Sequence, residues 1–285
     1  MFQFTARAAL AATFTLLGFQ APAQAGSAIA AWVSGSGQDI AGCGPQASPC
    51  RTFQYVHDNI LGSGGGDILV RDSGSFGPLS ITKPVSVIND GVGTAGTGAP
   101  SGQVAISINA PGANVVLRGL SVDGVGGAYG GVGVVAVGNL TVKDSFIQNF
   151  TQFGVAFSEN YVTVKFSMSN TTIQNIGVYG IALNNFGGSL QANISGSHIF
   201  NNGTGLFLDS VAPCQALITD TIISGNGTGI YVNGAGSMAL LRRSAITWNG
   251  TGYKIINNGS IMSYQDNSIY GNATLSGTLQ TIQSN

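Results

Sequence analysis

Apolar and polar residues follow two superimposed periods along most of this chain. Within short segments they alternate one by one, as expected of a β-strand with one buried face. Over a longer distance, an apolar residue at the same place in the pattern returns every 23–26 residues. These positions are Val122, Ile147, Ile173, Ile199, Ile223, Ile246 and Ile269. The chain is therefore built from a repeated unit, and each unit adds one residue to a long apolar column.

Each unit predicts three short strands. One apolar residue lies five positions before the column residue and another lies seven before it; in the last unit these are Tyr264 and Met262. A third segment, with glycine followed by two apolar residues in alternation, comes after the turn, as in residues 154–157 and 205–208. A unit this short cannot bury its apolar face alone, so neighbouring units must stack. The pattern predicts an all-β, single-domain parallel β-helix with about eight coils.

Asparagine marks the turn after the column residue. The peptide Asn-Gly-Thr-Gly begins at Asn202, Asn226 and Asn249. Asparagine adopts the left-handed backbone conformation more readily than other non-glycine residues, and its amide can hydrogen-bond to the same amide of the next coil. We therefore predict that six structural asparagines occupy one corner of successive coils. They are Asn149, Asn175, Asn201, Asn226, Asn249 and Asn272.

The two ends of the predicted solenoid differ. Phe53, Val56 and Ile60 recur at helical spacing, which predicts a short amphipathic helix that caps the N-terminal end of the core. His57 in this helix and His198 on a later strand are predicted to be surface residues. The last residues of the chain show no matching cap. That end is expected to be closed by an irregular strand or by self-association of the protein.

The beginning of the chain predicts export. Arg7 precedes an uncharged apolar stretch, and residues 23–25 have the small-x-small pattern of a signal-peptidase site. We interpret residues 1–25 as a signal peptide, residues 26–62 as an N-terminal segment and residues 63–285 as the β-helix. No later stretch is long and apolar enough to span a bilayer. The predicted location is secreted, periplasmic or at the cell surface.

Export implies an oxidising compartment, in which cysteines pair. Cys43 and Cys50 close a short loop, and we predict a disulfide between them. Cys214 is then left over and is predicted to be a small core residue. The chain has only two histidines, neither beside a cysteine pair, so no metal site is predicted.

Composition narrows the classes of function. The formal net charge is −1 and charged residues make up 7% of the chain, which offers no electrostatic footprint for nucleic acid or an anionic membrane. The hydrophobic fraction of 44% excludes an intrinsically disordered chain. The 44 glycines disfavour a helical protein, because each weakens a helix by about 1 kcal/mol relative to alanine.

The repeat over residues 115–272, together with the segment Pro-Cys-Arg-Thr-Phe-Gln-Tyr-Val-His-Asp-Asn-Ile before it, resembles the right-handed parallel β-helix family, the pectin-lyase-like superfold. More specifically, the chain is similar to secreted bacterial right-handed β-helix repeat proteins. The resemblance covers most of the chain after the signal peptide and implies the handedness of the coil. It does not choose an activity, because this superfold hosts lyases, hydrolases, adhesins and proteins without a known reaction.

Adjacent coils bring together one candidate catalytic set. A polysaccharide lyase needs a base that removes the proton next to a carboxylate, and a cation, usually Ca²⁺, that stabilises the resulting anion. Arg118 and Lys143 lie in one column, Asp144 follows Lys143, and Asp123 lies one strand further on. These four residues are the candidate base and acids of a lyase.

An exposed turn with a salt bridge is the alternative interpretation of that set, and we favour it. Arg242 and Arg243 occupy the corresponding turn of a later coil, so the column has the character of a solvated corner. A glycoside hydrolase would need paired carboxylates, and those of this chain are scattered. No cofactor is predicted, and Ca²⁺ would be required only under the lyase alternative.

Aromatic residues suggest a ligand surface. Tyr129, Phe150, Phe153 and Tyr179 follow the central strand on successive coils, and stacked aromatic rings can bind the apolar faces of sugars. The predicted function is a non-enzymatic extracytoplasmic scaffold or polysaccharide-binding protein that uses Tyr129, Phe153 and Tyr179. The alternatives are a pectate-lyase-like lyase or glycoside hydrolase, and an adhesin that self-associates through its C-terminal end.

Overall fold

The alternating segments form strands that coil into a right-handed parallel β-helix, as predicted. A computed structural model of the chain describes residues 30–158, 163–185 and 187–282. The predicted signal peptide lies outside the described residues. Each full coil passes through three strands, and corresponding strands of successive coils pair in parallel.

The strands are short and follow one another with few interruptions. Those of the first half are β1 (Ala30–Val33), β2 (Gly66–Val70), β3 (Gly74–Ser75), β4 (Leu79–Ile81), β5 (Val85–Ile88), β6 (Ala95–Thr97), β7 (Val104–Asn109), β8 (Asn114–Arg118), β9 (Leu120–Asp123), β10 (Gly130–Ala136), β11 (Asn139–Lys143), β12 (Phe146–Gln148), β13 (Phe153–Phe157), β14 (Thr163–Ser169) and β15 (Thr172–Gln174). Those of the second half are β16 (Tyr179–Asn185), β17 (Ser189–Ser195), β18 (His198–Phe200), β19 (Thr204–Ser210), β20 (Cys214–Thr219), β21 (Ile222–Ser224), β22 (Thr228–Asn233), β23 (Ser237–Arg242), β24 (Ala245–Thr247), β25 (Thr251–Ile256), β26 (Ser260–Tyr264), β27 (Ser268–Tyr270), β28 (Thr274–Ser276) and β29 (Gln280–Ile282).

Three parallel sheets form the sides of the helix. The first sheet has 11 strands, in the order β1-β2-β5-β8-β11-β14-β17-β20-β23-β26-β29. The second sheet has nine, β3-β6-β9-β12-β15-β18-β21-β24-β27, and the third sheet has nine, β4-β7-β10-β13-β16-β19-β22-β25-β28. From β2 onward each sheet takes every third strand, so the chain climbs one coil for every three strands. The inward side chains of all three sheets fill one continuous core.

The predicted apolar column runs up the second sheet. Its members pair in register from Val122 to Ile269, and those from Val122 to Ile246 are at most 2% exposed. In the last coil, however, Ile261 pairs with Ala239, so Met262 and Tyr264 face outward. The prediction for that coil was wrong because its turn towards Ile269 is one residue longer than the turn of the preceding coil.

A ladder of buried hydroxyl groups lies at the corner between the first and second sheets, and the sequence analysis missed it. Its members are Ser145, Thr171, Ser197, Thr221 and Ser244. Each hydroxyl oxygen accepts a hydrogen bond, at 3.2–3.4 Å, from the backbone N–H of the equivalent residue in the preceding coil. Each hydroxyl also donates, at 2.8–2.9 Å, to the carbonyl oxygen two residues earlier. The ladder thereby pairs backbone groups that a tight buried corner would otherwise leave unsatisfied.

The six asparagines predicted at one corner fall into two neighbouring columns. Asn149, Asn175 and Asn201 have left-handed backbones, with φ between 55° and 63°. The left-handed position of the later coils is taken by Gly225, Trp248 and Gly271. The other three asparagines lie one position further along, towards the core. The single-column prediction is therefore corrected: the left-handed residue lies two positions after the column residue and the inward residue three positions after it, and the sequence places asparagine at either position.

The inner column is an asparagine ladder between the second and third sheets. It consists of Asn202, Asn226, Asn249 and Asn272. Each side-chain Nδ2 donates to the Oδ1 of the next asparagine at 2.9–3.0 Å, and the backbone N–H of the same residue donates to the same oxygen at 2.9–3.0 Å. Each net bond of this kind contributes about 0.5–1.5 kcal/mol, and leaving a buried partner unpaired costs more.

The N-terminal end is closed by a disulfide loop and a helix. The predicted bridge joins Cys43 and Cys50, whose Cα atoms lie 5.0 Å apart. The helix, here called the cap helix, is an α-helical turn (Phe53–Tyr55) that continues as a π-helical turn (Val56–Ile60). The side-chain oxygen of Thr52 accepts from the Tyr55 N–H at 3.1 Å and so caps its start.

The cap helix covers the free edge of β4, the first strand of the third sheet. Gln54 Oε1 accepts a hydrogen bond from the backbone N–H of Ser80 at 2.6 Å, and His57 Nε2 accepts from the N–H of Thr82 at 3.2 Å. His57 is 1% exposed, so its predicted surface position was wrong. Because Nε2 accepts, the ring proton is on Nδ1, which lies 2.6 Å from Asp58 Oδ1. His198 is exposed, as predicted.

The C-terminal end is more open. Strands β27, β28 and β29 are the last of their sheets, and the side chains of Tyr270 and Leu275 are 60% and 52% exposed. The part of the chain that the structure describes contains no helix with the length and apolar character needed to cross a membrane.

Candidate functional site

Three of the four predicted catalytic residues form an exposed charge cluster at the corner between the first and second sheets. Arg118 Nη2 lies 2.7 Å from Asp90 Oδ1, and Arg118 Nε lies 3.8 Å from Asp144 Oδ2. Lys143 Nζ is 4.0 Å from the same Asp144 oxygen. The side chains of this cluster are all more than 40% exposed: Asp90, Arg118, Lys143 and Asp144. Exposed pairs of this kind contribute little stability, typically about 0–1 kcal/mol each.

Asp123 does not join that cluster. It ends β9 at the corner between the second and third sheets. There Oδ2 accepts from Gln148 Nε2 at 2.6 Å and Oδ1 accepts from Asn149 Nδ2 at 2.9 Å. Oδ1 also accepts from the backbone N–H of Val125 at 3.1 Å. Both oxygens of this carboxylate are thus used to hold the turn after β9. The four residues proposed for a lyase face two different corners.

The same corner carries a second set of ion pairs, on later coils. Arg243 Nε and Nη2 each lie 2.8 Å from one oxygen of Asp220, a bidentate pair. This hydrogen bonding lowers the pKa of the Asp220 carboxyl. Arg242 lies 3.8 Å from Asp266. The repetition indicates that charge pairing is a regular feature of this corner.

One group of three potential metal ligands occurs among the described residues, and its geometry has another explanation. The group is Asp39, Cys43 and Cys50. The two sulfurs are joined in the disulfide, so neither is a thiolate ligand. Asp39 Oδ1 accepts from the backbone N–H groups of Arg51 and Thr52 at 2.8 and 3.0 Å. The carboxylate therefore anchors the turn before the cap helix.

A groove of about 430 Å³ runs along the outward face of the third sheet. Its floor is a row of small residues at one position of successive strands, Gly133, Ala156 and Ala182, which pair with one another across β10, β13 and β16. A groove forms because these short side chains lie between rows of larger ones. The side away from the second sheet is lined by Val135, Ser158 and Asn184.

The other side of the groove is an aromatic wall, formed by the residues predicted to bind sugar. Phe153 and Tyr179 pair in register at the start of β13 and β16, and Tyr129 directly precedes β10. The ring centroids of Tyr129 and Phe153 are 5.6 Å apart, in an edge-to-face arrangement. Tyr129 is 45% exposed. The Phe153 ring lies over Gly130, where any Cβ would collide with it.

Phe150 does not belong to this wall. Its side chain is 2% exposed and lies in the core. Its position along the chain corresponds to Asn202 in the later coils, an inward position. The sequence analysis did not predict that Phe150 is buried, because in this turn the outward residue Asn149 directly precedes the inward residue Phe150.

The contacts between aromatic rings continue past the groove in residues that the sequence analysis missed. Tyr179 stacks on Phe207 with a centroid distance of 4.7 Å, and Phe207 contacts Tyr231 at 5.0 Å. Lys254 Nζ lies 4.7 Å from the centroid of the Tyr231 ring. Phe207, Tyr231 and Lys254 share the outward row of Ala182, and that alternating position was the available signal.

The described residues that line the groove carry no charge. None of its lining residues is Asp, Glu, Lys or Arg. Its polar groups are amides and hydroxyls, among them Gln152 and Ser158, and the Oδ1 atom of Asn184 has no hydrogen-bond partner in the described part of the chain. Aromatic faces beside neutral hydrogen-bonding groups match a ligand that is both apolar and hydroxylated.

A second, larger groove of about 590 Å³ lies on the outward face of the first sheet, and the sequence analysis missed it. Its lining side chains include Lys165, Gln191, Gln215, Leu217 and Leu240. Phe166, the aromatic residue beside it, is 2% exposed and points inward. Without an exposed ring, this groove lacks the stacking surface of the third sheet. We therefore take the third-sheet groove as the candidate site.

Comparisons with known proteins show the fold. No protein-family model matches this chain, and no curated protein matches it. Among solved structures, an alginate lyase from Paenibacillus sp. str. FPU-7 is similar at a TM-score of 0.52 and 18% identity, over 80% of this chain and 95% of that one. Geobacillus virus E2 ORF18 is similar at 0.56 and 11%, over 77% of this chain and 53% of that one. Pectate lyase Pel9A is similar at 0.49 and 14%, over 89% and 80%.

Proposed function

We propose that this chain is an exported polysaccharide-binding protein that holds its ligand in the groove of the third sheet. The observation that carries the proposal is the aromatic wall of Tyr129, Phe153 and Tyr179 above a floor of glycine and alanine. Sugar rings have apolar faces that pack on aromatic rings, and hydroxyl edges that hydrogen-bond to amides. An extended polymer suits a groove whose lining repeats from coil to coil. The fold shared with a polysaccharide lyase agrees with this proposal.

We favour binding without catalysis, because none of the candidate lyase residues lines the groove and Asp123 is separated from the other three. Arg118, Lys143 and Asp144 are exposed at the first corner, and Asp123 is hydrogen-bonded at the second. General acid–base catalysis requires such groups within hydrogen-bond reach of one reacting atom. The lyase, with Ca²⁺ held by carboxylates, therefore stays the alternative proposal.

Calorimetric titration of the protein without its signal peptide against a panel of neutral and acidic polysaccharides tests the proposal. We expect at least one polysaccharide to bind, and Phe153→Ala to weaken its affinity roughly tenfold, the factor for a loss of about 1.4 kcal/mol. Tyr264→Ala is the matched control, because Tyr264 lies on the outward face of the first sheet, packed by Arg242. Equal losses in both variants, or no binding by the wild-type protein, would contradict the proposal.

The same panel distinguishes the lyase alternative. With Ca²⁺ present, a lyase would produce unsaturated uronates, which absorb in the ultraviolet. We expect no rise in absorbance. A rise that Arg118→Ala and Lys143→Ala abolish would replace the binding proposal with a lyase.

Self-association through the C-terminal end also stays a prediction. The cap helix covers the edge of β4, whereas β27, β28 and β29 end their sheets. Unpaired strand edges are templates for pairing with another chain. Sedimentation at increasing protein concentration would show a dimer, and Thr281→Pro in β29 would weaken it.

A further inference from the structure

Trp248 is exposed in a backbone conformation that does not suit it. Its φ is 57°, in the left-handed region where a bulky residue is an outlier. The equivalent corner residues of the other late coils are glycine, and those of the earlier coils are asparagine. The Trp248 side chain is nevertheless 65% exposed, so no core packing compensates for the strained backbone. Backbone strain at a residue outside the core points to a function of the side chain.

The surrounding residues hold the indole in a fixed orientation. Its six-membered ring lies over Gly271, where a Cβ would come within 3.0 Å of the ring carbon Cε3. The Tyr270 ring meets it edge to face, with centroids 5.9 Å apart. Tyr270 is itself 60% exposed. The two rings form an ordered, solvent-facing aromatic pair.

This pair lies on the same edge of the molecule as the aromatic wall of the groove. Tyr179 is followed in register by Thr204, Thr228 and Thr251 on successive strands of the third sheet. Trp248 lies in the turn that leads directly to Thr251. It is therefore three coils beyond Tyr179, or about 14 Å along the axis at the usual strand spacing. The three threonines are half-buried and line the path between the two aromatic surfaces.

The path from the groove to the aromatic pair carries few charges. The part of the groove lining that the structure describes has none, and its continuation along this edge is made of threonine. A polyuronate bears a carboxylate on every ring and is recognised through arginine, lysine or bound cations. The nearest cation of the third sheet, Lys254, is placed over the Tyr231 ring. The charge distribution suits an uncharged chain.

We infer that the binding tract extends from the groove to Trp248 and Tyr270, and that its ligand is an uncharged glycan chain long enough to reach both aromatic surfaces. This inference rests on the proposed function and assigns its ligand class. The groove binds one part of the glycan, the threonines face the middle of the glycan, and Trp248 stacks on a sugar ring further along.

The two tryptophans of the chain allow a direct test. In a Trp32→Phe background, fluorescence reports Trp248 alone. Neutral β-linked glucan and mannan oligosaccharides are titrated from disaccharides to long chains, with oligogalacturonate as the acidic comparison. We expect only long neutral chains to change the Trp248 emission. Calorimetry on Trp248→Asn should show roughly tenfold weaker binding of long chains and unchanged binding of short ones. Asparagine is the residue of this corner in earlier coils, so this variant is expected to fold.

The outcomes separate the inference from the proposed function. If Trp248→Asn binds long chains with unchanged affinity, and long chains do not change the Trp248 emission, the binding tract is limited to the groove. The proposed function would then still stand. Tighter binding of oligogalacturonate would overturn the ligand class. A concentration-dependent dimer that Trp248→Asn dissolves would make the aromatic pair a contact between copies instead. Weaker binding of short and long chains alike in Phe153→Ala, together with weaker binding of long chains only in Trp248→Asn, would support both.

Discussion

Asparagine serves two different purposes in neighbouring positions of this chain. At Asn201 the residue is exposed and is selected for a left-handed backbone, which glycine adopts equally well. One position later, Asn202 is buried and is selected for its amide, which donates to Asn226 Oδ1 and accepts from the backbone N–H of Ile176. The residue type is the same, but the physical requirement differs. Substitutions at the two positions should therefore have different consequences.

Asn226→Ala should reduce the free energy of unfolding by at least about 2 kcal/mol. The Asn226 Oδ1 accepts from both the N–H and the Nδ2 of Asn202, and its Nδ2 donates to Asn249 Oδ1 and Ile199 O. Alanine leaves these buried groups unpaired. Urea unfolding followed by circular dichroism measures the change. Asn201→Gly, the neighbouring-column control, should stay within about 0.5 kcal/mol of the wild type; similar losses in the two variants would contradict the ladder's importance.

The thiol of Cys214 should be unreactive towards labelling reagents in the folded protein. Its side chain is fully buried, and burial raises the pKa of the thiol to about 12. Only the thiolate reacts, and an exposed cysteine with a pKa of about 8.5 is partly ionised at about pH 8. An aromatic disulfide reagent should therefore label Cys214 at that pH only after unfolding in urea. Rapid labelling of the native protein would show that the core opens at this strand.

At the scale of elements, the ends of the sheets need more explanation than their middles. Interior strands pair on both sides, whereas β4 has a strand neighbour on one side only. The cap helix supplies acceptors for its edge through Gln54 and His57. Such coverage blocks the edge-to-edge association that exposed strands invite. A histidine is thus used here as a structural acceptor.

His57→Leu should destabilise the first coils. The N–H of Thr82 would lose its acceptor, at a cost of about 1–3 kcal/mol, while leucine keeps the apolar volume of the buried side chain. Hydrogen–deuterium exchange should accelerate most in β4. The matched control is His198→Leu, because that histidine is exposed on β18. Equal exchange of β4 in both variants would indicate that the helix, and not the histidine acceptor, protects this edge.

The whole molecule is one stacked core whose two ends are closed to different degrees. The isoleucine column is sealed in the middle, where Ile199 is 0% exposed. Ile269, in the same column, is only partly buried, because its strand β27 is the last of the second sheet and no further strand of that sheet covers it. In a solenoid, each coil contacts only its neighbours, so the stability of a site depends on having a coil on both sides.

The same substitution should therefore have graded effects along this column. Ile199→Ala should reduce the free energy of unfolding by about 2–5 kcal/mol, the range for deleting a buried isoleucine side chain. Ile269→Ala should cost less than half as much, because the site is already partly solvated. Urea unfolding of both variants tests this. Equal costs would mean that the last coil is packed as tightly as the middle.

The fold was accessible from the sequence because its repeat is regular. Period-two alternation and the 23–26-residue spacing identified the strands, the isoleucine column and the stacking. The three residues of the aromatic wall were named from the sequence, since Phe153 and Tyr179 recur at the same place in the pattern and Tyr129 precedes Phe153 by one coil. Phe207 and Tyr231 were missed although they lie at the outward alternating position of Ala182, and Trp248 was missed because it lies in a turn, where alternation does not apply. The pattern also did not predict whether Arg118 and Asp123 lie on the same face. That depends on the corner of the coil at which each residue lies.

By itself, the sequence determined the solenoid, its parallel strands, the cap helix and the cysteine pair, because these follow from local periodicity and from contacts between identical positions of successive units. Only the tertiary structure decided which of two adjacent asparagines faces the core, that His57 is buried, and that a groove lies between rows of unequal side chains. In the last coil the turn before Ile269 is one residue longer than in the preceding coil, so the residues of the strand before that turn face the opposite way from the prediction. That is a consequence of alternation itself: in a strand, a shift of one position exchanges the core for solvent.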